Sequence, residues 1–318
     1  MKAKAWLIAA IVLIIVGAMI FGGVMNMLNW DFSKLSTAKF ETNAYEISDG
    51  YKDILIDTSE ANIELVPSEG TKTLVVCKEK QNAKHSVRAE NGALVIELVD
   101  TRKWYEHISF ISFKAPKITV CLPESEYGRL SVKSSTGDVN IPSDFAFDSI
   151  DISLSTGDVI NSAAAESVRI KTSTGSITAK EQSARTLVLE TTTGHINLSD
   201  SDAGNVRINV TTGLAILESL KCESLESDGD TGDLTLRNVI ASGKLAVERD
   251  TGDIRLDGCD AAEIYIETDT GSVSGTLLSD KVFFAETDTG RVNVPKTTRG
   301  GRCEITTDTG NIRIDIVN

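Results

Sequence analysis

Apolar and polar residues alternate along most of the chain after residue 45, and a Thr-Gly pair breaks the alternation at regular intervals. Around Gly194, for example, Leu187 and Leu189 precede the glycine, and Ile196 and Leu198 follow it. A period of two is typical of a strand with one buried face. Because the parity of the apolar positions changes across the glycine, each unit is predicted to be two strands joined by a corner.

The Thr-Gly pair recurs ten times at intervals of 18 to 20 residues. A fixed period of this length indicates a solenoid in which each repeat stacks on its neighbours. The sequence therefore predicts an all-β fold, a single-stranded parallel β-helix (β-solenoid) with three-sided coils of about 19 to 20 residues and a rise of about 4.8 Å per coil. Glycine suits each corner because it adopts positive φ. The predicted structural turns are Gly137, Gly157, Gly175, Gly194, Gly213, Gly232, Gly252, Gly271, Gly290 and Gly310.

The residue two before each glycine is Ser, Thr or Asp, so five corners read Asp-Thr-Gly, the signature that surrounds the catalytic carboxylate of aspartic proteases. Such a protease needs two facing loops that share one proton, and five tandem copies do not form that pair. Ser, Thr and Asp can each accept the backbone N–H two residues on, which predicts an outward-facing turn cap rather than a catalytic group. These residues are Ser135, Ser155, Ser173, Thr192, Thr211, Asp230, Asp250, Asp269, Asp288 and Asp308.

The threonine directly before each glycine has two interpretations. If the inward parity of the strand continues to this position, the ten hydroxyls form a ladder inside the solenoid, each bonding the next. If the parity breaks at the corner, the threonines face solvent instead.

Residues 46–128 are less regular and are expected to be an irregular N-terminal β-region that caps the solenoid. Ala61 lies four periods of 19 before the first corner glycine, with apolar residues at the same offsets, so it marks one degenerate coil. Asn91-Gly92 is a strong hairpin signal. The aromatic stretch 102–113, which contains Trp104, is either part of the cap core or an exposed contact loop.

Residues 5–30 contain no charged side chain, and this uncharged segment is long enough to form a transmembrane helix. Lys2 and Lys4 precede the apolar run and Asp31 follows it, so the positive-inside rule places the N-terminus in the cytoplasm and the rest outside the cell membrane. A cleaved signal peptide is the alternative, and it would free the same ectodomain. The predicted organisation is a cytoplasmic stub (1–4), a transmembrane anchor (5–30), a juxtamembrane linker (31–45), the cap (46–128) and the regular solenoid with ten Thr-Gly coils (129–318).

The formal net charge of −14 argues against nucleic-acid binding, which requires a basic surface. The three histidines occur in unrelated contexts, and the sequence has no nucleophile elbow, zinc motif or phosphate loop. The five cysteines form no C-x-x-C pair, and a disulfide between Cys77 and Cys121 is left open. No catalytic or cofactor-binding residue is therefore assigned.

Acidic residues collect in the last five coils, at the positions four before, two before and one after the glycine. One interpretation is a solvated face whose side chains support the turns. The other is a site for Ca²⁺, which favours arrays of oxygen ligands, or for cationic peptides. The densest group, and the candidate Ca²⁺ ligand set, is Asp230, Asp233, Asp250 and Asp253.

The repeated Thr-Gly-[Asp/Ser/Asn]-[Val/Ile] motif behind one N-terminal apolar segment resembles the bacterial "putative adhesin" family of β-strand-repeat proteins, a domain of unknown function. Its members include the Lia-type membrane-anchored proteins associated with envelope stress. The resemblance covers the chain after residue 45. It implies a β-solenoid and no catalytic residues.

The expected function is a non-enzymatic, membrane-anchored extracytoplasmic module that acts as an adhesin, a scaffold or an accessory protein of the cell-envelope stress response. Its expected partner is a cell-surface protein, a glycan or a cationic peptide. The alternative is a cell-surface polysaccharide lyase or hydrolase, because parallel β-helices often act on acidic glycans. Trp104 is the one tryptophan after residue 30, and the chain is only 5% aromatic, so few sugar platforms are available for that alternative.

Overall fold

The computed structural model describes residues 2–31, 39–48, 50–100 and 115–317, with one helix followed by strands. The aromatic stretch 102–113 lies outside the described residues. The strands of the N-terminal region are β1 (Phe40–Ile47), β2 (Asp53–Glu60), β3 (Asn62–Ser68), β4 (Thr73–Lys80), β5 (Ala83–Glu90), β6 (Ala93–Asp100) and β7 (Lys117–Pro123). The strands of the regular repeats are β8 (Tyr127–Thr136), β9 (Val139–Ile141), β10 (Ala146–Thr156), β11 (Val159–Asn161), β12 (Ala164–Thr174), β13 (Ile177–Lys180), β14 (Ser183–Thr193), β15 (Ile196–Thr212), β16 (Ala215–Thr231), β17 (Leu234–Thr251), β18 (Ile254–Thr270), β19 (Val273–Leu277), β20 (Lys281–Thr289), β21 (Val292–Asn293), β22 (Gly301–Thr309) and β23 (Ile312–Ile316).

The N-terminal apolar segment forms helix α1, Lys2–Met27. The window Ala10–Met27 has a mean hydropathy of 2.3 and is mostly exposed, so the helix is long and apolar enough to cross a membrane. A signal sequence near an N-terminus passes the same test. Strand β1 begins at Phe40, within the range 31–45 that the sequence assigned to a linker.

The regular repeats form the predicted β-solenoid, because each strand pairs in parallel with the equivalent strand of the neighbouring coil. Leu187 and Leu189 are fully buried before the corner at Gly194, and Ile196 and Leu198 are buried after it. Strand β14 pairs with β15, and β15 with β16, one repeat further along the chain each time. The inward positions read from the sequence therefore line one continuous apolar core.

The corner glycines stack on one another at very close range. A Cβ built on Gly213 would lie 1.7 Å from the carbonyl oxygen of Gly194, and Gly213 has φ of 142°. Any other residue would meet both a steric clash and a strained backbone. The same close contact between neighbouring corners begins with Ala61 and Gly137 and continues to the end of the rod. It occurs without the positive φ of the other corner glycines at Gly271, Gly290 and Gly310.

The threonines directly before the glycines face solvent, so the inward ladder at that position is wrong. Thr193, for example, is exposed, whereas Thr191 is buried and its hydroxyl donates to the carbonyl oxygen of Gly175 at 2.9 Å. Thr268 and Thr307 make the equivalent bond. Side chains alternate between the core and solvent only up to the third residue before the glycine. The two residues that follow it both face solvent. A partial hydroxyl ladder therefore lies two residues earlier than the sequence suggested: each hydroxyl bonds a backbone carbonyl, and the series is interrupted at Leu154, Val210, Gly229 and Arg249.

The N-terminal region combines one coil with an antiparallel cap. Ile54 and Ile56 of β2 lie opposite Leu130 and Val132 of β8, which confirms the degenerate coil around Ala61. Strands β5 and β6 pair in antiparallel fashion across the predicted hairpin turn. Strand β4 pairs antiparallel with both β1 and β7. We call strands β1 and β4 to β7 the N-terminal cap.

The last two coils are stacked out of chain order. Strand β22 pairs with β18 on one side and with β20 on the other, so Thr306 lies between Glu267 and Glu286. The final coil is therefore inserted between the two coils that precede it in sequence. The buried Lys281 of β20 reaches across it to form an ion pair with Asp260 at 2.5 Å. Sequential stacking, which the regular period suggested, does not hold at this end.

All five cysteines are free thiols. In the antiparallel pair of β4 and β7, Cys77 lies opposite Ile118 and Cys121 lies opposite Leu74. This register separates the two thiols along the strands, and the disulfide left open by the sequence is not formed.

Candidate functional site

The Asp-Thr-Gly corners do not use the predicted turn cap. The N–H of Gly232, which Asp230 was expected to accept, donates instead to the carbonyl oxygen of Thr251 in the next coil at 2.8 Å. The same pattern recurs at Gly252, whose N–H donates to Thr270. The residue two before the glycine is outward-facing, as predicted, but its side chain is not needed for the turn.

The capping role belongs to the residue one after the glycine. Asp233 Oδ1 accepts the backbone N–H of Asp253 at 2.9 Å, and Asp253 Oδ1 accepts that of Ser272 at 2.8 Å. In an earlier coil, His195 Nδ1 accepts the N–H of Leu214 at 3.0 Å, so this histidine is also structural. Each side chain therefore ties its own coil to the next. The repeat signalled this role, because Asp, Ser and Asn recur at this position in the motif.

The four candidate Ca²⁺ ligands lie on two adjacent coils and are all exposed. Asp233 and Asp253 each commit one carboxylate oxygen to the coil-capping bonds, whereas Asp230 and Asp250 project to solvent. These four carboxylates are not among the groups of three or more ligand atoms that converge within 4.8 Å in the described part of the chain. The Ca²⁺ site stays a prediction.

A row of three carboxylates forms at the position four before the glycine. Asp228 lies opposite Glu248, and Glu248 lies opposite Glu267, on consecutive strands of one outward face. None of the three takes part in a salt bridge within the described residues, whereas the neighbouring Glu226 is paired with Arg207 at 2.5 Å. Carboxylates at the spacing of adjacent strands, about 4.8 Å, repel each other by about 3 kcal/mol at an effective dielectric constant of 20.

Beside this row, the small side chain of Ala246 opens a groove in the face. Ala246 lies in register between Glu226 and Tyr265, and Tyr265 lies opposite Glu304. The groove has a volume of about 280 Å³ and is also lined by Glu248. It therefore combines carboxylates, an aromatic ring and a gap of side-chain size, and we call it the acidic groove.

The lining of the acidic groove contains more carboxylates than basic side chains, and this affects the pKa of Asp228. Burial raises the pKa of the Asp228 carboxyl, and the nearby Glu226 raises it further. Arg249 lies beneath the face, is only 3% exposed and donates to Ser227 Oγ, while its Nε has no partner. Burial lowers the pKa of its guanidinium. The nearby Arg207 and Arg249 act on Asp228 in the opposite direction to Glu226 and lower the pKa of its carboxyl.

The ammonium group of Lys244 already contacts the aromatic ring of Tyr265 in the acidic groove. Lys244 Nζ lies 4.8 Å from the centre of the Tyr265 ring, within the range of a cation–π contact. This contact indicates how an incoming ammonium or guanidinium group would be held. Sequence reasoning found the acidic row but missed Lys244, Ala246, Tyr265 and Glu304, because their meeting depends on strand register rather than on any motif.

Comparison with protein-family models gives one match. The model described as Toastrack DUF4097 matches residues 51–226 and 199–318. No curated protein matches the sequence.

The solved structures similar to this chain include the following three, all at low sequence identity. A "putative adhesin" from Bacteroides fragilis is 15% identical, covers 88% of this chain and 99% of its own, and has a TM-score of 0.43. A "putative adhesin" from Parabacteroides distasonis is 10% identical over 86% of this chain and 98% of its own, with a TM-score of 0.47. A "putative lipid binding protein" from the same species is 13% identical over 88% of this chain and 98% of its own, with a TM-score of 0.45.

Proposed function

The chain belongs to the Toastrack DUF4097 family, and we propose that it is a non-catalytic, membrane-anchored rod that captures a cationic ligand at the cell surface through its acidic groove. This assignment agrees with the resemblance of the repeat to the "putative adhesin" proteins. The family description gives no activity. The proposed activity therefore rests on the groove itself.

The observation that carries the proposal is the row formed by Asp228, Glu248 and Glu267. Three unpaired carboxylates in register repel one another, and a bound cation relieves that repulsion. The groove of about 280 Å³ lies just below the roughly 300–1,000 Å³ typical of small-molecule pockets. It accommodates one lysine or arginine side chain better than a whole small ligand. The proposed ligand class is therefore a peptide or protein segment that carries basic side chains.

Membrane attachment is proposed from the exposed apolar helix α1. An apolar helix of this length is stable in a bilayer because it satisfies its own backbone hydrogen bonds. With the positive-inside rule, the rod stands on the extracytoplasmic side, where it can serve as an adhesin, a scaffold or an accessory of the envelope-stress response. Its acidic surface is repelled by anionic lipid headgroups, which keeps the groove accessible.

The polysaccharide lyase or hydrolase alternative finds no support among the described residues. The carboxylates of the acidic row occupy repeat positions in register, and Asp233 and Asp253, directly after the corner glycines, tie coils together. Trp104, the strongest candidate for a sugar platform, lies outside the described residues. We therefore propose no catalytic role.

The direct test is calorimetric titration of the full chain, solubilised in detergent, with an oligolysine peptide. The triple variant Asp228→Asn, Glu248→Gln, Glu267→Gln removes the row without changing side-chain volume. We expect its affinity to fall by at least about tenfold, which corresponds to about 1.4 kcal/mol.

A matched control separates this row from overall charge. Asp144→Asn, Asp148→Asn, Glu218→Gln removes three exposed carboxylates outside the groove and should bind within about twofold of the wild type. Equal weakening in both variants would mean that net charge alone attracts the peptide. Absence of binding by the wild-type protein would exclude the proposed function.

A further inference from the structure

A second polar cluster lies inside the N-terminal cap, far along the chain from the acidic groove. Cys77 and Glu79 are two residues apart on β4 and therefore project from the same face of the strand. The short turn after β4 brings His85 of β5 beside them. Cys77 and Glu79 are fully buried, and His85 is 4% exposed.

The three side chains offer converging ligand atoms. The Cys77 sulfur, a Glu79 carboxylate oxygen and a His85 ring nitrogen all lie within 4.8 Å of one another, and the described residues contain no other such group. Glu79 Oε2 is 2.7 Å from His85 Nδ1. A thiol, a carboxylate and an imidazole that meet in a protein interior form a typical donor set for a transition-metal ion.

Neighbouring groups hold two of these side chains in the orientation that a metal ion needs. Asn43 Nδ2 donates to Glu79 Oε1 at 2.7 Å, and the backbone N–H of His85 donates to Oε2 at 2.6 Å, so both contacts fix the carboxylate with Oε2 towards the cluster. Thr58 Oγ1 lies 2.8 Å from His85 Nε2. In this structure Nδ1 is hydrogen-bonded to Glu79 Oε2; when Nδ1 binds an ion instead, the ring proton is carried by Nε2, and Nε2–H donates to Thr58 Oγ1. Metal-binding histidines usually hold their second ring nitrogen in such a bond.

We propose that Cys77, Glu79 and His85 form a binding site for a single Zn²⁺ ion in the N-terminal cap. Zn²⁺ accepts sulfur, nitrogen and oxygen ligands together, and three protein ligands leave its fourth position for water. Ca²⁺ and Mg²⁺ prefer sites made only of oxygen, so this donor set does not suit them. The ion replaces the thiol proton of Cys77 and the hydrogen bond between Glu79 and His85, and the released proton passes to solvent.

A nucleophilic role for the same three residues does not fit their surroundings. Cys77 is fully buried, so a substrate cannot reach its sulfur. Burial also raises the pKa of the Cys77 thiol to about 12, which keeps the thiol protonated and unreactive when no ion is bound. The cluster is therefore better suited to holding a structural metal ion than to catalysis. Such an ion would join β4 to β5 and so strengthen the end of the rod, where solenoids need a cap.

The test uses the full chain in detergent, unfolded in denaturant with a chelator and refolded with Zn²⁺ or Co²⁺. After removal of free metal, elemental analysis should find one zinc ion per chain. The Co²⁺ form should show the sulfur-to-cobalt charge-transfer band and the visible bands of a tetrahedral ion. This spectrum needs no variant, so it remains informative if a substitution disturbs folding.

Two serine variants locate the ion. Cys77→Ser should weaken metal binding by at least about tenfold and abolish the charge-transfer band. Cys259→Ser is the matched control, because Cys259 is equally buried and lies outside any converging ligand group. Refolded wild-type protein without bound metal would overturn the proposal, and so would a band that persists in Cys77→Ser. Either result would leave Glu79 and His85 as a buried hydrogen-bonded pair only.

Discussion

At the scale of single residues, the solenoid is held together by bonds that run from one coil to the next. The buried threonine three before the glycine bonds the corner carbonyl of the preceding coil, and the residue after the glycine accepts an N–H from the following coil. Both bonds depend on a side chain that repeats at a fixed offset. The glycine and the residue after it therefore join coils, and the buried threonine that adds the second bond lies just outside the Thr-Gly-Asp signature.

The hydroxyl ladder makes a prediction at this scale. Thr191→Val keeps the shape of the side chain but removes its bond to the Gly175 carbonyl, and it should lower the free energy of unfolding by about 1 kcal/mol. Thr193→Val, at the exposed position, should change it by less than about 0.5 kcal/mol. Denaturant titration of the full chain measures both, and the opposite ranking would restore the ladder at the position next to the glycine.

Asp228 makes a second prediction, on pH. Because its folded-state pKa is raised, the carboxyl binds a proton more tightly in the folded protein, and the stability this provides is present at low pH and lost as the pH rises. Asp228→Asn should therefore unfold at a higher temperature than the wild type at pH 7. The difference should disappear as the pH falls below about 3.9, the ordinary pKa of aspartate. A variant that is less stable at pH 7 would contradict this assignment.

At the scale of elements, the strands and corners follow from the sequence because burial has a period of two and glycine marks each change of direction. The break in parity before the corner could not be read, because Ser, Thr and Asp are compatible with either face. The meeting of Glu226, Ala246 and Tyr265 also required the register of three strands. Nothing in the regular spacing distinguishes an inserted last coil from a sequential one.

The inserted coil can be tested with engineered disulfides. Cysteines at Glu267 and Thr306, or at Thr306 and Glu286, are on adjacent strands, about 4.8 Å apart, and should form a bond on oxidation. Cysteines at Glu267 and Glu286 are about 10 Å apart and should not. Peptide mapping by mass spectrometry identifies the linked pair and separates it from the five native thiols. A bond between positions 267 and 286 would mean that the coils stack in chain order.

At the scale of the whole molecule, the fold combines a membrane-length helix, a capped end and a long acidic face. The cap and the stacked corners make the rod rigid, so side chains on consecutive strands keep fixed spacings along it. Rigidity favours the proposed function, because a row of like charges held at fixed spacing binds a cation without the cost of ordering the side chains. The acidic groove is thus a property of the stack rather than of any one repeat.

The measurement that tests this account most directly is the affinity of the full chain for oligolysine after the groove is filled without any change in charge. Ala246→Trp should block the groove and weaken binding by at least about tenfold. Ala262→Trp places the same bulk at an exposed position outside the groove and should leave the affinity unchanged. Equal affinity of the wild type and Ala246→Trp would contradict the account, because the peptide would then bind to the acidic surface without using the groove.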